Sequence, residues 1–136
     1  MSKLQRVPDS LLRAENGDVL AFLEGGSAHS DVADALLHAA APLGDVQSFC
    51  PDVAGYGYVL LSTQGIVFAF AVGMNQVGVR LDDEYKRRAL ETGGRDALEI
   101  GRDWAAFQLF RSDFPAVDLP FWTRKAYAMA RGADPS

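Results

Sequence analysis

Val53-Ala-Gly-Tyr-Gly-Tyr-Val-Leu-Leu-Ser-Thr-Gln-Gly-Ile-Val-Phe-Ala-Phe-Ala-Val-Gly-Met-Asn-Gln-Val-Gly-Val79 decides how this chain folds, because no charged residue interrupts it between Asp52 and Arg80. As a helix, the stretch is long enough to cross a hydrocarbon core of about 30 Å. Its punctuation argues otherwise. Gly55, Gly57, Gly65, Gly73 and Gly78 recur along it, and Ser62-Thr63-Gln64 and Asn75-Gln76 set polar groups at turn-like intervals. Three strands account better for the pattern: Tyr56 to Thr63, Ile66 to Val72 and Gln76 to Leu81, joined at Gln64-Gly65 and Gly73-Met74-Asn75.

Period-two alternation assigns faces. In the second strand Ile66, Phe68, Phe70 and Val72 make a bulky face, and Val67, Ala69 and Ala71 a thin one that lets another element approach closely. Both faces are apolar, so this strand is central. In the third, Val77, Val79 and Leu81 alternate with Gly78 and Arg80, which reads as half-exposed and near an edge, with Arg80 guarding it.

Outward from the meander, Leu11 to Leu23 reads as two short helical pieces broken at Asn16-Gly17, with Asp18 as a cap. A helix is expected from about Asp31 to Ala41, capped by Ser30 or Asp31 and stopped by Pro42 and Gly44. Val46 to Cys50 reads as a short strand ending at Pro51. Asp82-Asp83-Glu84 opens a solvated helix that Gly93-Gly94 closes, with Tyr85, Ala89 and Leu90 inward. Ala97 to Ile100 and Trp104 to Phe110 are strand candidates, the second also readable as a helix. Asp118 and Pro120 begin a final helix with Trp122, Ala126, Met129 and Ala130 on its apolar side. The expected fold is α+β: a central antiparallel sheet of about four to six strands, the meander spanning 56–81, with N-terminal helices and a C-terminal helix. One domain over 1–136 is expected, flexible in its first and last few residues.

The chemistry is bounded mainly by exclusion. A net charge of −5 repels polyanions, so nucleic acid is not an expected partner. No signal-like apolar run follows Lys3 and Arg6, and a single cysteine, Cys50, permits no internal disulfide; both suit a cytoplasmic protein off the membrane. Gly55-Tyr56-Gly57 lacks the third glycine of a dinucleotide fingerprint, and Gly73 to Gly78 lacks the lysine of a phosphate-binding loop. His29 and His38 fit no metal-binding spacing, no serine sits in a Gly-x-Ser-x-Gly frame, and Cys50 reads as a buried structural thiol. Asp82-Asp83-Glu84 reads as a helix start rather than a cation site. No cofactor and no metal is expected, and the enzyme question leans towards no.

What remains is the mixture of aromatic and ionic side chains from Arg102 to Tyr127. Arg80, Arg102, Asp103, Asp113, Asp118, Trp122 and Arg124 form the candidate interaction surface, because Trp and Arg combine large contact area with directed hydrogen bonds. The competing structural reading has Trp104, Phe107, Phe110, Phe121 and Trp122 simply covering the sheet. The favoured function is a non-catalytic protein-interaction or regulatory module whose partner is protein, either another copy or a different chain. The alternative is a small-molecule-binding protein or modest enzyme with a pocket between sheet and helices lined by Asp103, Asp113 or Asp118 and Arg102, Arg111 or Arg124.

Overall fold

A computed structural model describes residues 7–51, 57–110 and 116–132. Six antiparallel strands make one sheet: β1 (Gln47–Phe49), β2 (Val59–Thr63), β3 (Ile66–Val72), β4 (Gln76–Arg80), β5 (Arg95–Asp96) and β6 (Trp104–Gln108), in the order β1-β2-β3-β4-β6-β5. The helices are α1 (Gly17–Leu23), α2 (Ser30–Ala40), α3 (Asp83–Glu91) and α4 (Leu119–Ala130), preceded by 3-10 turns at Asp9–Leu11 and Ala14–Asn16. The fold is α+β with an antiparallel sheet, and among the described residues no helix is long and apolar enough to cross a membrane. The meander is present with the expected turns. Gln64 and Gly65 both take positive φ, the backbone that matches a two-residue connection to strand twist, and Gly73 takes φ 73° at the next turn.

The faces of β3 differ from the simple alternation. Leu61 pairs with Ala69 but Ser62 pairs with Val67, so Phe68 is an extra residue, a β-bulge. The bulge turns Phe68 to the same side as Ala69 and Ala71, facing α2 and α4, whereas Val67 and Phe70 face the opposite cluster. Each face thus receives one phenylalanine. Phe68 meets the Tyr127 ring of α4 edge-on at 5.8 Å, and Phe70 lies 5.7 Å from Phe22 and 5.4 Å from Trp104.

β4 is not near an edge: it lies between β3 and β6. Gly78 reads as a solvent-side residue in the sequence, yet a Cβ built on it would sit 2.3 Å from the Phe70 ring. The missing side chain is filled from the neighbouring strand. The real edges are β1 and the two-residue β5.

One face carries the larger cluster, with Val32 and Leu36 of α2, Ala89 of α3, and Trp122 and Ala126 of α4 against Val59, Phe68, Val77, Val79 and Phe107. The other holds Leu11, Val19 and Leu23 against Leu60, Val67, Phe70 and Trp104, with Ala97 and Ile100 completing it. Ala97 to Ile100 is a turn rather than a strand, closed by Ile100 and Gly101 N–H groups donating to the Ala97 carbonyl, and Arg95–Asp96 pairs with β6 in its place. Trp104 to Gln108 is strand, as its aromatic alternation suggested.

Helix starts follow local chemistry. Asp82 Oδ1 accepts from Tyr85 N at 2.8 Å, and Asp118 Oδ1 from Phe121 N at 3.3 Å. At α2 the cap is His29, whose Nδ1 accepts from Asp31 N at 3.1 Å, in place of Ser30 or Asp31. Asp18 lies inside α1 rather than capping it. Asn16, which reads as a helix breaker, is fully buried: Nδ2 donates to the carbonyls of Leu11 (2.9 Å) and Gly65 (2.8 Å), and Oδ1 accepts from Val67 N at 2.9 Å. It joins the N-terminal turns to the first hairpin.

Candidate functional site

Of the described residues expected to form one surface, the fold brings Arg80, Arg102 and Asp103 to one end of the sheet, uses Asp118 as a helix cap and buries Trp122. Arg80 ends β4, its side chain only 16% exposed; one guanidinium nitrogen donates to the Glu15 carbonyl at 2.8 Å, the group lies over the Trp104 ring at 5.8 Å, and its Nε stands 4.0 Å from Asp103. That arrangement fastens the N-terminal turns to the sheet, so Arg80 guards no edge. Arg102 and Asp103 precede β6 at the same end of the sheet as Arg80, because Arg80 pairs with Trp104. Arg102 is exposed, and its carbonyl accepts from Lys86 Nζ.

Asp118 is spent on capping α4, which begins at the opposite end of the sheet. Trp122 is 6% exposed, stacked 5.6 Å from Phe107 and edge-on to Phe121 at 4.8 Å, so it belongs to the core rather than to a surface. Arg124 is exposed, over the Phe121 ring at 5.8 Å, beside Lys125, which reaches Tyr85 at 5.1 Å and Phe121 at 5.4 Å. Asp113, Arg111 and the dinucleotide-like Gly55-Tyr56 lie outside the described residues, as do the two chain termini.

The concave surface gathers elsewhere, at the end of the sheet where β4 begins and β6 finishes. A groove of about 630 Å³ runs between α2 and the approach to α4, lined by Ala35, His38 and Ala39 on one side, Ala116, Val117, Leu119 and Pro120 on the other, and Gln108, Leu109 and Phe110 at its base. Its lining is mostly apolar, with His38 and Gln108 as the polar side chains. Phe110 is 67% exposed and has φ 61°, and Met74, 72% exposed, borders a shallow hollow that it shares with Phe110, His29 and Asp31.

Next to the groove, sharing Gln108 and Val117 with it, is a recess of about 310 Å³ formed by Gln76, Thr92, Gly93, Gly94, Arg95 and Ala106. Gln76 and Gln108 are cross-strand partners, and the buried Nε2 of Gln76 has no hydrogen-bond partner among the described residues. Arg95 is paired with Glu99 at 2.7 Å. The hydrogen bond from Arg95 holds the Glu99 carboxyl below its ordinary range, and the same bond raises the Arg95 guanidinium.

Arg102, Asp103, Asp118 and Arg124 line neither the groove nor the recess. Among the described residues no cluster of three or more His, Cys, Asp or Glu side chains is placed to hold a metal ion. Cys50 is half-buried rather than buried. It contributes to raising the Tyr58 phenol, behind the larger effect of that phenol's burial.

Sequence reasoning missed Phe110, Met74, Gln76 and the groove wall of α2. A positive φ on an aromatic residue leaves no trace in composition, and the meeting of Ala35, Leu109 and Val117 depends on packing across long sequence separations. Compared with family models, curated proteins and solved structures, the chain matches none.

Proposed function

We propose that the protein is a non-catalytic interaction module, working in the cytoplasm, that receives an apolar segment of a protein partner in the groove between α2 and the approach to α4. The observation that carries this reading is Phe110: a large aromatic ring two-thirds exposed, on a backbone conformation that disfavours any side chain, beside an apolar concavity. Both features oppose stability in the isolated chain. A docked segment would cover the ring and remove its exposed area from water. Met74, equally exposed across a shared hollow, extends the same surface, and its unbranched thioether adapts to irregular partners.

The uncharged groove lining favours a protein partner over nucleic acid, and another copy of the chain or a different protein fits equally. Phe110→Ser is expected to unfold within about 0.5 kcal/mol of the parent, since it leaves the core untouched, and to abolish association. A photo-crosslinking residue at position 74 is expected to join one partner in cells, or a second copy at high concentration, and to lose it with Phe110→Ser. A strict monomer by light scattering whose residue 74 crosslinks to no protein sinks the reading.

A further inference from the structure

The recess beside the groove has a different chemistry. A buried donor with no acceptor is rare in folded proteins and marks a place where hydrogen-bonding capacity has been left open; here it is Gln76 Nε2, at the start of a central strand. The wall facing the recess includes Gly93 and Gly94, which add no side chains, and Gly94 is pressed so close to α3 that a Cβ would meet the Ala89 carbonyl at 2.8 Å. Thr92 donates its hydroxyl hydrogen to that same carbonyl at 3.1 Å, leaving oxygen lone pairs to accept. Ala106 and Val117 supply apolar surface.

Charge near the recess is cancelled in pairs. Arg95 is held by Glu99 at 2.7 Å, and Asp96 by Lys86 at 2.6 Å. An anion therefore gains little there, whereas a neutral carbonyl satisfies the orphaned amide without desolvating a charge.

We infer that this recess is a binding site for a small neutral carboxamide, which turns the buried Gln76 side-chain amide towards the recess so that the ligand's carbonyl oxygen accepts from Nε2, its N–H donating to Thr92, and its apolar body against Ala106 and Val117. A volume of about 310 Å³ sits at the lower limit of small-molecule sites, which confines the ligand to fragment size.

Benzamide is a suitable probe, with benzoate and toluene as charge and shape controls, read by amide NMR of the labelled full chain. Benzamide is expected to give saturable shifts of the Gln76 side-chain NH2 pair and of the Gly93 and Gly94 backbone amides, and to bind roughly tenfold more tightly than either control, the value of one well-made hydrogen bond. Gln76→Leu is expected to lose about that tenfold while melting at a higher temperature than the parent, because an apolar group of similar size replaces an unsatisfied amide. Thr92→Val, which keeps the shape of the side chain, is expected to weaken benzamide as well. Benzamide leaving Gly93 and Gly94 unmoved overturns the inference. So does benzoate binding as tightly, which would mean that Arg95 reads charge, or benzamide binding equally well to Gln76→Leu.

Discussion

Two residues show how a polar group and an absent one each hold this fold together. Asn16 makes three hydrogen bonds, two of them buried and one partly so, to segments far apart in the chain. Asn16→Ala strands the Val67 N–H and two carbonyls, so a loss of about 2–4 kcal/mol is expected in chemical denaturation. Gly78 works by having no side chain: Gly78→Ala drives a methyl into the Phe70 ring and is expected to cost about 1–3 kcal/mol. Pairing it with Phe70→Leu should cost less than the sum of the two single changes, and a double-mutant cycle that adds linearly would refute the contact. Tyr58 gives a pH signature. Its phenol is raised in the folded chain, mainly by burial, so the unfolded chain ionises first as pH rises. The stability tied to the neutral phenol is complete below the ordinary tyrosine value of about 10 and falls above it. Thermal melts should show an alkaline decline in the parent that is smaller in Tyr58→Phe.

At the scale of elements, the bulge in β3 matters most, because one extra residue redistributes two phenylalanines between two clusters. Hydrophobic alternation was legible over 66–72, but the break in it was not: Phe68-Ala69-Phe70 alternates equally well with or without a bulge, and the partner strand's register decides. The central place of β4 was likewise illegible, since Gly78 and Arg80 read as exposed until Phe70 and the Glu15 carbonyl occupy their surroundings. Capping was readable at α3 and α4 but not at α1 or α2, where Asp18 lies inside the helix and His29 holds the cap. Asp82 and Asp118 both accept from the third residue onward, and Asp82→Ala is expected to destabilise the fold by about 1 kcal/mol in urea titrations.

For the molecule as a whole, the net charge of −5 has no counterpart in the described lining of the groove, where His38 and Gln108 are the polar side chains and the rest is apolar. Association through that groove should therefore be nearly independent of ionic strength up to about 1 M, where the screening length falls to about 3 Å. A partner affinity that drops steeply with salt would place docking instead on the exposed cations near Arg124. The aromatic segment 102–127 divides at this scale too: Trp104, Phe107 and Trp122 are core, whereas Phe110 is surface.

The α+β composition, the hairpins from Val59 to Arg80 with their turns, and the helix starts at Asp82 and Asp118 were legible in the order of residues alone. Each of these rests on interactions within a few residues or on a local period. Long-range packing set the face of Phe68, the interior position of β4, the burial of Trp122, and the meeting of Gln76, Thr92 and Val117 around one recess. Those outcomes depend on which distant surfaces exclude water together, and that pairing is chosen by packing across the whole chain rather than by any residue's neighbours in sequence.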